Sequence, residues 1–171
     1  MRGMGKGVLV PVEEYLTTVY RPDLEYIDGV LREREMGAYD HSRLQGLLYG
    51  YLLQREKQWR IRAVPEQRVQ VKPSRFRVPD ICVVIRDAPI EQIFTPPPVL
   101  CIEILSPEDR ISEMQERIDD YLGFGVPCVW LLDPGPRRAW ICKAGQMQDV
   151  RDGILRVPDL PIEVPLAELF D

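Results

Sequence analysis

The stretch Val99-Leu100-Cys101-Ile102-Glu103-Ile104-Leu105 holds six apolar residues around one carboxylate. It is too short for an isolated helix and reads as a buried strand. An ionised carboxylate in a dry strand is costly unless it is paired or bound to a cation. Glu103 therefore constrains any fold that contains this strand. Downstream, Ile111, Met114, Ile118, Tyr121 and Leu122 recur on one helical face. Ser106 as N-cap, Pro107 at the first helical position and Asp109 closing a capping box predict where that helix starts. Gly123 to Gly125 predict its end, and Cys128 to Leu132 is again a core strand. Strand, helix and strand in this order imply a right-handed crossover and at least one parallel strand pair.

The remainder of the chain reads as shorter elements. Pro11 to Val19 suits a short helix, and Leu24 to Ile27 a strand. Asp28-Gly29 marks a hairpin turn, with Val30 to Glu35 returning as the partner strand. Asp40 is placed to cap a helix running to about Gln58. Leu44, Leu47, Leu48, Tyr51 and Leu52 form its apolar face, and Gly46 and Gly50 would permit close packing. Arg60 to Val64, Gln67 to Lys72, Ile81 to Ile85 and Arg138 to Lys143 read as strands. Pro96-Pro97-Pro98 forces a loop, and Pro165 to Phe170 suggests one amphipathic helical turn. The expected class is α/β (α+β), a mixed, mainly antiparallel sheet flanked by helices.

The length of 171 residues fits one domain over 10–171, behind a flexible glycine-rich tail at 1–9. No apolar run approaches the roughly 20 residues of a membrane span, and a cytoplasmic protein is expected. The four cysteines lack a C-x-x-C pair and read as buried reduced thiols, while the single histidine, His41, argues against histidine-rich metal sites. A net charge of −5 argues against nonspecific nucleic-acid binding by the whole surface. The charge is uneven, however: Arg55 to Arg77 contains eight basic residues against Glu56 and Glu66. A phosphate-facing sector and a solvated hairpin fit that run equally well.

Asp80 opens a second apolar strand. If it shares a face with Glu103 on a neighbouring strand, two carboxylates converge, and like charges at close range need a cation to stay ionised. Mg²⁺ (or Mn²⁺) suits such a pair, since it takes one or two carboxylates together with water and substrate phosphate. The alternative is structural: Asp80 as a turn residue, and Glu103 in a buried ion pair with Arg77 or Arg117.

Pro79-Asp80, Glu103-Ile104-Leu105-Ser106-Pro107, Tyr121, Gly125-Val126 and Trp130-Leu131-Leu132-Asp133-Pro134 together resemble the Uma2 (Uma-two) family of the PD-(D/E)XK nuclease superfamily. Leu24-Glu25-Tyr26-Ile27-Asp28-Gly29 resembles an early motif of that family, and His41 falls where the family carries a histidine. The likeness spans roughly residues 10 to 170 and is specific as a set. It implies a restriction-endonuclease-like core that hydrolyses DNA phosphodiester bonds, with Asp80 and Glu103 as metal ligands and Glu25 assisting. His41 would orient a phosphate or water; as the second residue of a polar helix start it reads equally as an exposed first-turn residue. It also allows a homodimer. The superfamily's usual lysine, two residues after the second acid, is here Leu105. The family's substitute on the following helix corresponds to Arg117, which stays protonated and stabilises charge but is a poor base. Glu113 matches a further acidic position and reads better as a solvent-facing helix residue. The alternative function is a catalytically impaired nuclease-fold domain that binds nucleic acid or a protein partner.

Overall fold

The computed structural model describes residues 8–34 and 38–170. The predicted tail lies outside them over 1–7, as does Glu35 at the end of the predicted hairpin strand. A short helix α1 (Val12–Thr17) leads into β1 (Glu25–Ile27) and β2 (Val30–Arg32). The turn between the two strands places Asp28 and Gly29 at φ 49° and 93°, the paired positive angles of a tight hairpin. Next come α2 (Tyr39–Trp59), β3 (Ile61–Pro65), β4 (Val69–Lys72), β5 (Arg75–Arg77) and β6 (Ile81–Ile85). After the proline loop follow β7 (Leu100–Ile104), α3 (Ile111–Phe124), β8 (Val129–Asp133), β9 (Arg138–Lys143) and β10 (Gln146–Asp149). A final hairpin, β11 (Ile154–Arg156) and β12 (Glu163–Pro165), precedes a single 3-10 turn at Leu166–Glu168.

The main sheet has the strand order β10-β9-β8-β7-β6-β3. Its β7–β8 pair is parallel and is joined by α3, as the crossover pattern predicts; its other pairs are antiparallel. A smaller antiparallel sheet, β2-β1-β5-β4, stands beside it. Alternation along the strands divides the core. Ile81, Val83, Leu100, Ile102 and Ile104 pack with Leu44, Leu48 and Leu52 of α2. Cys82, Cys101 and Leu131 pack with Met114, Ile118 and Tyr121 of α3. Tyr15, Tyr26 and Phe76 form a third, aromatic cluster under the smaller sheet.

Several predicted details are corrected. α2 starts at Tyr39 without a side-chain cap, so Asp40 lies inside the first turn, where its charge favours the helix N-terminus. A Cβ on Gly46 or Gly50 would meet nothing within 4 Å, so neither glycine serves close packing. Each costs about 1 kcal/mol relative to alanine. The buried Leu44, Leu48 and Leu52, at about 1.5–3 kcal/mol each, outweigh that cost. α3 starts at Ile111 rather than Pro107. Asp109 accepts the Ser106 N–H at 2.7 Å and donates its own N–H to the Ser106 carbonyl at 3.0 Å. These bonds close a separate turn, after which Arg110 is extended and the helix begins anew. The end of α3 follows expectation. Gly125 takes φ 111° and, with Val126, returns N–H bonds to Leu122 and Tyr121, a Schellman ending. The four cysteines are free and buried, and burial pushes the Cys82 thiol up to about 12. No helix among the described residues is long and apolar enough to cross a membrane.

Candidate active site

In the antiparallel β6–β7 pair, Ile81 lies opposite Ile102 and Cys82 opposite Cys101. Glu103 shares the face of Cys101, which packs with α3, and Asp80 immediately precedes β6, one residue beyond the last pair of that register. The backbone N–H of Ile104 donates to Asp80 Oδ2 at 2.8 Å, tying the carboxylate to β7. Both acids are buried, 3% and 2% exposed.

Each acid is held by a different set of groups. Arg34 Nη2 donates to Asp80 Oδ1 at 2.8 Å, and His41 Nε2 lies 3.2 Å from Oδ2. Gln45, one turn along α2 from His41, donates to the Asp80 carbonyl at 3.0 Å. Tyr121 of α3 donates its hydroxyl to Glu103 Oε1 at 2.6 Å, and Arg117 Nη1 stands 3.9 Å from Oε2. Glu25 is engaged on both oxygens. It accepts from Arg77 Nη1 at 3.0 Å and from the Val78 N–H at 3.1 Å, with Arg117 Nε at 3.5 Å. Arg77 continues to the buried Asp120 at 2.8 Å. Asp80, Glu103, His41, Arg117 and Glu25 thus sit in one buried charge network, although they come from five different elements and loops. Glu113 is exposed, outside it.

Sequence reasoning missed Arg34, Gln45 and Asp120 in this network. Arg34 lies in an alternating polar run beside Arg32, which turns instead to Glu116 at 3.1 Å. Nothing in residue type separates the two arginines. At least half of the basic run Arg55 to Arg77 is engaged by acids, in pairs that range from buried at Arg77 to exposed at Arg60. Arg68 pairs with Asp23, Arg75 with Asp28 and Asp120, Arg77 with Glu25 and Asp120, and Arg60 with Asp87.

The electrostatics follow from burial and crowding. Burial, reinforced by Asp80, pushes Glu103 up to about 8 against the opposing pull of Arg117. Burial alone would lower His41, but its hydrogen bond to Asp80 and the carboxylate's charge hold it above its ordinary value. Burial also works against the charge on Arg117, yet Glu103 and Glu25 keep it firmly protonated. Tyr121 is pushed well up by burial first and by Glu103 second, so it remains a neutral hydroxyl donor.

Among the described residues no three carboxylate, imidazole or thiol side chains form a group able to hold a metal ion. Glu25, with both oxygens engaged by Arg77, Val78 and Arg117, lies in the ion-pair network rather than in such a group. The donor set of Asp80 and Glu103 is two carboxylates, all oxygen, with Glu103 Oε2 3.9 Å from Arg117 Nη1. That set suits Mg²⁺ or Mn²⁺, which complete their shells with water and phosphate, rather than a four-ligand zinc site. A groove of about 490 Å³ opens beside His41, at the carboxyl ends of the parallel strands β7 and β8, with Tyr39, Ser106, Asp109, Ile111 and Asp133 along its walls.

Three comparisons bear on this arrangement. The sequence model of the Uma2 family, described as "Putative restriction endonuclease", matches residues 12–167. The crystal structure of a putative nuclease belonging to DUF820 from Anabaena variabilis ATCC 29413 superposes with a TM-score of 0.80. That match covers 94% of this chain and 97% of the other, at 27% identity. No curated protein matches the chain in sequence.

Proposed function

The chain belongs to the Uma2 family, and from that premise we propose that it is a divalent-metal-dependent endonuclease acting on DNA phosphodiester bonds. One observation carries this reading. Two buried carboxylates from adjacent strands share a site in which Glu103 is pushed up to about 8, a crowding that a cation relieves. Asp80 and Glu103 would hold Mg²⁺ or Mn²⁺, which supplies polarisation of a phosphoryl oxygen and activation of water.

The protein's own groups then have separate tasks. Tyr121 fixes the orientation of Glu103 through the 2.6 Å hydrogen bond. His41, favoured in its protonated form, orients Asp80 and faces the groove, where it donates to a phosphate oxygen. Arg117 sits beside Glu103 and stabilises negative charge growing on the phosphoryl group. It removes no proton, because its guanidinium stays charged. Glu25 positions Arg117 and Arg77. The groove at the ends of β7 and β8, which His41 lines while Asp80, Glu103 and Arg117 lie behind it, would receive the substrate strand.

A second reading has its own support. Leu105 cannot act chemically, and Arg117 offers no base, which favours a catalytically impaired domain that binds nucleic acid without cutting it. Supercoiled plasmid and single-stranded DNA incubated with Mg²⁺ or Mn²⁺ separate the two. Metal-dependent cleavage by the wild type, lost in Asp80→Asn, is expected. Absence of cleavage while metal is bound would leave the binding domain as the function.

A further inference from the structure

Resting on the reading that Asp80 and Glu103 bind a divalent cation, we propose that Arg34 competes with that cation for Asp80 and so sets the metal concentration the site requires. Arg34 follows β2, and its side chain is 5% exposed. Its guanidinium supplies positive charge at Oδ1 from 2.8 Å. A hard cation bound to that same oxygen at about 2.1 Å would lie against the guanidinium, and like charges so close in a buried site repel strongly. Occupation by one therefore disfavours the other.

The two oxygens of Asp80 differ in how readily they are released. Oδ2 is held by the Ile104 N–H, which is part of the β7 backbone, and by His41 on α2. Oδ1 is held by a long, rotatable side chain. A second acid waits for that side chain: Glu66 Oε1 is 4.0 Å from Arg34 Nη1 and is 46% exposed. The Glu66 N–H also donates to the Asp80 carbonyl at 3.2 Å, which keeps this alternative partner beside the site. Arg34 thus has a place to go when the cation arrives, and returns when it leaves. The effect is a coupling between guanidinium position and metal affinity, and it is reciprocal.

Mn²⁺ binding measured by titration calorimetry and by thermal shift tests this on the full chain and on Arg34→Gln, Glu66→Gln and Asp80→Asn. Arg34→Gln should bind Mn²⁺ about tenfold more tightly than the wild type, and Glu66→Gln about fivefold more weakly. Asp80→Asn should lose binding. Binding by Arg34→Gln where the wild type shows none would also support the competition. Unchanged or weaker binding by Arg34→Gln, with binding still lost in Asp80→Asn, would overturn the role of Arg34 and leave the metal site standing. No binding by the wild type or by Arg34→Gln would remove both. If Arg34→Gln fails to fold, Glu66→Gln decides: its side chain is half exposed, and an unchanged affinity there would overturn the competition.

Discussion

Glu103 has its proton affinity raised by burial and by Asp80, to about 8 from the ordinary 4.5, and this has a definite consequence for stability. A carboxyl whose folded value exceeds its unfolded one favours the fold while both states are protonated. That contribution is whole below about pH 4.5 and disappears as the pH rises through about 8. Wild-type stability measured by urea denaturation should therefore fall relative to Glu103→Gln between those limits. Parallel profiles would show that Glu103 does not hold the proton. Because a cation needs the ionised carboxylate, Mn²⁺ affinity should climb over the same range, with proton release on binding. Arg117→Lys probes the neighbouring charge: a lysine beside Glu103 can lose its proton, whereas arginine cannot. Cleavage by that variant at saturating metal should rise towards alkaline pH more steeply than the wild type's, and parallel profiles would remove Arg117 as the limiting group. Asp80 and Glu103 were legible in the sequence because acids within apolar strands have few innocuous explanations. Arg34 was not, because a buried arginine in a polar run looks like its exposed neighbours until tertiary contacts distinguish them.

The helices repeat this contrast between local and tertiary signals. The end of α3 was readable from Gly125 because positive φ is a local backbone demand that glycine meets. Its start was misread, since the Ser106–Asp109 bonds that resemble a capping box close a turn of their own. β5 escaped notice because a three-residue strand carries too little alternation; it is defined by pairing with β1 and β4. Two substitutions follow. Gly46→Ala and Gly50→Ala place a methyl in open space on an α-helix and should each stabilise the protein by about 0.5–1 kcal/mol in chemical denaturation. Gly125→Ala should destabilise it by about 1–2 kcal/mol, since its Cβ would stand at an unfavourable φ and 3.3 Å from Pro97. A loss at Gly46 or Gly50 would indicate a packing role that the open space around them does not support.

Across the whole molecule, strand order was legible through the β7–α3–β8 crossover, a contiguous signal. The joining of β1 to β5 was not, because it links residues some 50 positions apart. That long-range pairing also changes the meaning of the basic run. Once β5 lies beside β1, Arg75 and Arg77 meet Asp28 and Glu25, and both reach Asp120 of α3. Two cations of the run thus pair with acids, of which Glu25 and Asp120 are buried and Asp28 is exposed, on a chain whose net charge is −5. If the proposed nuclease reading holds, the arginines committed to these pairs are not free for phosphate, and contacts outside the proposed metal site should be few. Counterion release scales with the number of phosphates neutralised, and proteins making about 6–10 such contacts show correspondingly steep salt dependence. Fluorescence anisotropy with a DNA duplex in Ca²⁺, as salt is raised, should give a shallow slope, equivalent to about three contacts or fewer. A slope matching six or more would mean that the arginine pairs around Asp120 open on binding and turn their guanidinium groups to the backbone. Asp120→Asn distinguishes that case, since weakening those pairs would then increase DNA affinity instead of only destabilising the fold.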